Sequence, residues 1–171
     1  MEEIGLNSVA ALSRLRSERN NKMEINPKAP LVTRREIFIQ ASPEIVWKLQ
    51  TEINEWKNWQ PGVTRSELMG KLAPGSAFQW TSGGFAVTST LQEVVPGQRI
   101  SWTGKAFGSR ARHLWTFKLE RGGTLVLSEE SMEGWLVVLL KPLMPGFLEK
   151  ALDARLKNLK TKAEEIQNKS L

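Results

Sequence analysis

The chain contains no cysteine and no tyrosine among its 171 residues, and it carries a single histidine. Without cysteine there is no disulfide framework, no thiolate nucleophile and no thiolate metal site. One histidine with no ladder of carboxylates offers no metal-ligand spacing, so no metal and no cofactor are expected. The missing tyrosines remove a common general acid. No Gly-x-Ser-x-Gly elbow occurs, which argues against a serine hydrolase. Gly83-Gly84 and Gly122-Gly123 read as hairpin turns and not as phosphate loops.

Long apolar runs are just as scarce. The longest, Trp135–Leu140, ends at Lys141 and Pro142, far short of the ~20 residues that span a bilayer. Stable membrane insertion is not expected. The chain opens Met1-Glu2-Glu3, acidic where a secretory signal is basic, so a cytoplasmic location is expected. Lys and Arg number 24 against 18 Asp and Glu, a net charge of +6, and a surplus of this kind permits attraction to anionic partners. The cations are scattered, however, and no nucleic-acid module is visible, so nucleic acid is not an expected partner. With 40% apolar and 25% charged residues, one domain with a sizeable core is the default.

Residues 1–30 read as an N-terminal extension, partly helical or flexible. Val9, Leu12 and Leu15 space a narrow apolar stripe that Arg14, Arg16 and Arg19 interrupt, and Pro27 and Pro30 impose an extended linker. Three readings stay open: a loosely docked helix, an amphipathic segment touching a partner or a membrane, or a true start at Met23.

From residue 31 the periodicities are clear. Leu31–Gln40 alternates as a strand. Ser42-Pro43-Glu44 then starts a helix, with Ser42 as N-cap and Pro43 at the first helical position, and the helix runs to Gln50. A second short turn covers Ile53–Trp59. Six strands follow: Val63–Met69, Ser76–Thr81, Phe85–Val95, Arg99–Gly104, Arg110–Glu120 and Thr124–Met132. Their short Gly- and Pro-bearing connectors imply an antiparallel meander. After the apolar connector Trp135–Met144, the period switches. Leu148, Leu152, Leu156, Leu159, Ala163 and Ile166 step by three and four, the mark of an amphipathic helix.

Period two places Phe78 with Trp80, Ile100 with Trp102, and His113, Trp115, Phe117 and Leu119 together, each set on one face. That face is aromatic, with indole N–H groups and one imidazole as polar handles. Alternation does not decide whether Val87 or Thr88 faces inward, and a bulge in Phe85–Val95 would invert the phase. Arg110 and Arg112 fall opposite His113 and are expected in solvent.

This order resembles the START-like (SRPBCC) superfamily, its polyketide cyclase/dehydrase-like branch. The resemblance rests on Ile39-Gln40-Ala41-Ser42-Pro43-Glu44-Ile45-Val46-Trp47, Trp56-Lys57-Asn58-Trp59, Gly75 before Phe78-Gln79-Trp80, and Pro96 with Ile100-Ser101-Trp102. His113-Leu114-Trp115-Thr116-Phe117, Gly123-Thr124 and the leucine-rich last helix complete it. It implies an α+β helix-grip fold over residues 31–171: a curved antiparallel sheet of about seven strands wrapped on a long C-terminal helix, with two short helices after strand one. It further implies a cavity between sheet and helix that takes a hydrophobic or amphipathic small molecule, such as a lipid, polyketide or isoprenoid.

The expected ligand-binding residues are Phe78, Trp80, Trp102, His113, Trp115, Phe117 and, from the connector, Trp135. His113 is the one candidate catalytic residue, since imidazole alone titrates near neutrality unperturbed, and Glu129, Glu130 and Glu133 on the next strand are its candidate partners. Catalysis in the aromatic-polyketide cyclases of this superfamily is associated with cavity tyrosine and arginine groups. The absence of tyrosine leans away from an enzyme. Trp47, Trp56 and Trp59 are expected to pack the core or its edge. Two alternatives to simple binding remain: a cyclase or dehydratase on a small carbonyl compound using His113 as acid/base, and an interaction module with a filled interior.

Overall fold

The computed structural model describes residues 23–143 and 145–170. The stripe of Val9, Leu12 and Leu15 and the connector residue Met144 lie outside the described residues. Seven strands form one antiparallel sheet: β1 (Leu31–Ile39), β2 (Ser66–Met69), β3 (Ala77–Ser82), β4 (Phe85–Val95), β5 (Arg99–Ala106), β6 (Ser109–Glu120) and β7 (Gly123–Glu133). Their order is β1-β7-β6-β5-β4-β3-β2. Strands two to seven are a continuous meander, and β1 pairs with β7 at the far edge. The chain crosses between the two edges through α1 (Pro43–Thr51) and a 3₁₀ turn, Ile53–Asn58. The helix-grip architecture expected from the sequence is what forms.

Local chemistry accounts for the corners. Ser42 Oγ accepts from the Ile45 N–H at 3.4 Å, with Pro43 in the first turn and Glu44 beside it, so α1 begins where its N-cap stands. The last helix, α3 (Phe147–Lys169), buries Leu148, Leu152, Leu156, Leu159 and Ala163. It lies against β1, β7 and α1. Its C-terminal half also ties down the corner between β1 and α1. Glu164 accepts from the Gln40 N–H at 2.8 Å, Gln167 accepts from the Ser42 N–H at 3.0 Å, and Lys160 donates to the Phe38 carbonyl at 2.8 Å.

Several particulars differ from the periodicity. Trp135–Leu140 is a short helix, α2, followed by a 3₁₀ turn at Lys141–Leu143, where a connector was expected. Leu119 shares the apolar phase of β6 yet is 72% exposed, because the strand outruns the core. The β4 register shifts between Leu91 and Glu93, the bulge that long strands invite. Val87 is the inward residue, packed against the core, and Thr88 is exposed. Residues 23–30 are not a free linker. The Met23 and Glu24 carbonyls accept from Arg99 (2.6 Å) and Arg112 (3.2 Å), and Asn26 binds Ser131 Oγ (2.9 Å) and Glu133 (2.7 Å). This segment therefore lies across the outer face of β5–β7.

Candidate functional site

Antiparallel register puts Leu91, Trp102, His113, Glu130 and Thr33 directly opposite one another, strand by strand, in one row across the inner face. All five are buried. The imidazole of His113 stacks on Trp102 with centroids 5.2 Å apart and an 18° interplanar angle. Its Nδ1 lies 3.2 Å from Glu130 Oε2. Arg155 reaches down from α3, with Nη1 3.7 Å from Glu130 Oε2 and Nη2 donating to Ser82 Oγ at 3.2 Å. Its guanidinium sits 4.8 Å above the Trp80 ring, a cation–π geometry.

Burial sets the charge state of this trio. Desolvation pushes the Glu130 carboxyl up to about 7, against the opposing pull of Arg155. Desolvation, and then the Arg155 charge, hold His113 well below its ordinary value. Arg155 is itself lowered by desolvation and supported by Glu130. At neutral pH the imidazole is neutral, and the carboxyl is poised between its two forms. Their 3.2 Å approach satisfies no well-aligned N–H···O hydrogen bond, and neither facing atom has another hydrogen-bond partner, Arg155 standing at ion-pair distance from Glu130. A carboxylic O–H donating to an unprotonated Nδ1 fits this charge state, so one proton belongs to the pair. Trp102 Nε1, Trp115 Nε1, Ser128 Oγ and Thr33 Oγ1 are likewise buried without partners. Trp80 Nε1, by contrast, donates to Ser89 Oγ at 3.1 Å.

Apolar groups lie on both sides of this polar layer. Along α3, Leu148 and Leu152 precede Arg155, and Leu156, Leu159 and Ala163 follow it. Only the latter three belong to the main apolar cluster with Phe78, Trp80, Trp102, Trp115 and Phe117. Leu148, Leu152 and Val137 of α2 are buried outside that cluster, at the end where α2 meets the turn between β5 and β6.

The structure thus brings together six of the seven expected binding residues: Phe78, Trp80, Trp102, His113, Trp115 and Phe117. Trp135 is not with them. It is 59% exposed and packs edge-on against Phe107 at 5.6 Å, because Gly134 turns the chain away from the sheet (φ 126°). Rings pack together beneath α3, with the Trp56 ring centroid within 5.8 Å of those of Phe78, Trp80 and Trp102. Two open hollows, of ≈ 360 and ≈ 200 Å³, lie away from this cluster, one beside Asn54 and Arg65 and one beside Lys105 and Arg110. Among the described residues no cluster of side chains suits a metal ion, and no helix is long and apolar enough to cross a membrane.

Periodicity missed one residue of the trio. Arg155 sits one position before a core leucine and reads as a solvated helix residue. Trp56, expected in the core or at its edge, is in the core, 2% exposed at the centre of the aromatic cluster. Its indole N–H donates to the Gln50 carbonyl at 3.2 Å, which anchors it inward. Of the candidate acids, Glu130 is the one that meets His113, as inward phase on β7 requires.

Residues 31–164 match the sequence profile of a family described as polyketide cyclase / dehydrase and lipid transport. No curated protein matches the chain by sequence. Similar solved structures include a hypothetical protein from Helicobacter pylori, with TM-score 0.71 and 18% identity over 80% of this chain and 90% of that one. A START superfamily protein from Mycobacterium smegmatis aligns with TM-score 0.69 and 13% identity over 79% and 98%. The Zhui aromatase/cyclase from Streptomyces sp. R1128 aligns with TM-score 0.65 and 13% identity over 78% and 93%.

Proposed function

Because this chain belongs to the polyketide cyclase / dehydrase and lipid transport family, we propose that it binds a small amphipathic molecule whose polar group meets His113, Glu130 and Arg155. The observation that carries this reading is the buried trio itself. A filled interior alone would fit a plain interaction module. Such a core has no need of a carboxyl and a guanidinium, because well-packed apolar residues serve stability as well or better. Here both are present, and around them Trp102 Nε1, Trp115 Nε1, Ser128 Oγ and Thr33 Oγ1 are buried without partners. Unpartnered buried polar groups cost about 1–3 kcal/mol each, and a guest's hydroxyl, carbonyl or carboxylate would satisfy them. Entry is from the end capped by Val137, Leu148 and Leu152, where a second, smaller apolar group would receive the guest's tail.

The test is a thermal-shift and tryptophan-fluorescence screen with fatty acids, isoprenoid alcohols and hydroxylated aromatic ketones. A binder raises the melting temperature of the wild-type chain and quenches the indoles flanking His113. The gain shrinks in Arg155→Met and Glu130→Gln. If nothing in the screen shifts the transition, and native mass spectrometry of freshly purified protein finds no passenger, the reading fails.

The shared proton favours a second reading, a cyclase- or dehydratase-type enzyme. A carboxyl titrating near neutrality beside a neutral imidazole takes and returns a proton with little driving force lost. His113→Ala abolishing turnover of a bound carbonyl compound while leaving its affinity intact would separate catalysis from carriage.

A further inference from the structure

At one end of the molecule the turn between β5 and β6 and the helix α2 together expose large apolar side chains. Phe107 is 77% exposed, Leu139 62%, Leu143 75% and Trp135 59%. Two of them are held in place. Phe107 and Trp135 pack edge to face at 5.6 Å, and the Leu136 N–H donates to the Gly108 carbonyl at 3.2 Å. A rigid display of this size on a soluble domain marks an interaction site.

On the same β5–β6 hairpin lies the hollow of ≈ 200 Å³ on the outer face, lined among others by Lys105, Arg110 and Arg112. Lys105 and Arg110 stand directly opposite each other across β5 and β6, an arrangement in which like charges repel. Neither forms an ion pair among the described residues, and neither does Lys141 at the end of α2. The single acid lining this hollow, Glu133, is engaged by Asn26 at 2.7 Å.

We propose that this end docks on an anionic phospholipid surface. Phe107, Trp135 and Leu139 enter the interface, while Lys105 and Arg110 take the headgroup phosphates. Charge complementarity selects the occupant. Amphipathic aromatic and aliphatic side chains beside unpaired cations match the headgroup–acyl boundary, whereas a second copy of this end would set Lys105 and Arg110 against their own kind. The inference is independent of any guest inside the domain. It would also place the α2 end, behind which Val137 and Leu148 are buried, against the bilayer.

Flotation with extruded vesicles tests it. The full chain is expected to float with phosphatidylcholine–phosphatidylglycerol vesicles, to float at least about tenfold less with phosphatidylcholine alone, and to release as salt rises. Phe107→Asp with Leu139→Asp, and separately Lys105→Glu with Arg110→Glu, are each expected to lose about tenfold or more in partitioning. Circular dichroism and melting temperature stay unchanged, because all four side chains are exposed. Brominated lipid is expected to quench the wild type more than Trp135→Phe. Equal flotation with both vesicle types would overturn the phosphate role. Absence of flotation would overturn the whole proposal, whether the chain then sediments as a monomer or as a dimer that Phe107→Asp dissociates.

Discussion

His113 and Glu130 are cross-strand partners on β6 and β7, their side chains 4% and 5% exposed, with Nδ1 and Oε2 separated by 3.2 Å. Both groups are removed from water, so burial and the Arg155 charge set where each titrates. The consequences are measurable.

Stability should depend on pH in a direction that Glu130 sets. Its carboxyl titrates at about 7 in the folded chain and near 4.5 when unfolded. The stabilisation is therefore present below pH 4.5 and is lost as pH rises through about 7. His113 acts oppositely, since its folded value lies below 6.5, and its contribution is complete above that pH. The two offset one another in mildly acid solution, and Glu130 alone governs the range above. Glu130→Gln should thus gain on the wild type between about pH 5 and 8, by on the order of 3 kcal/mol. Urea denaturation at stepped pH measures this. Parallel profiles for the two chains would sink it.

Arg155→Met should move the ionisation of Glu130 further upward, because the Arg155 charge is what restrains it. Carboxyl carbon resonances followed by nuclear magnetic resonance would show the titration displaced to higher pH. The stability cost at pH 7 should stay near 1–3 kcal/mol, below the ~3–5 kcal/mol of an orphaned buried charge, since the carboxyl takes up a proton instead. A titration midpoint that does not move would disprove the coupling.

Trp56 is the keystone of the aromatic cluster, in contact with Phe78, Trp80 and Trp102. Truncation to alanine should cost about 3–5 kcal/mol through the cavity left behind. Trp56→Phe should cost less, about 1–2 kcal/mol, chiefly by leaving the Gln50 carbonyl without its donor. Thermal unfolding of both variants provides the comparison. A loss under about 1 kcal/mol for alanine would mean the cluster is not packed as described.

Gly108 should resist replacement. Its φ is +66°, and an added Cβ would stand 2.8 Å from both Leu136 Cβ and Trp135 Cε2. Gly108→Ala should push α2 off the turn and destabilise the chain by about 1–3 kcal/mol. Hydrogen exchange at the Leu136 amide, which donates to the Gly108 carbonyl, should accelerate. Unchanged protection there would refute the proposed anchoring.

Most strands, both main helices and the inward phase of Trp80, Trp102, His113 and Trp115 were legible from residue order. Period two and period three-to-four are consequences of backbone geometry and survive any tertiary arrangement. Connectors bearing Gly and Pro likewise announced an antiparallel meander through local dihedral preference. The α2 helix was not legible, because an apolar run of six residues has no distinguishing period. Nor was the fate of Trp135, which depends on the turn at Gly134 and on the neighbouring Phe107.

The residue pattern by itself determined the inward phase of Trp80, Trp102, His113 and Trp115 and that a long helix closes the sheet. Only the tertiary structure decided that Arg155 meets Glu130, that Trp56 stands at the centre of the aromatic cluster, and that His113 pairs with Glu130 and not with Glu129 or Glu133. The reason is physical. Alternation and helical periodicity are properties of single segments, whereas a buried charge partner depends on strand register, sheet curvature and helix placement together. Those quantities arise only when the whole core packs.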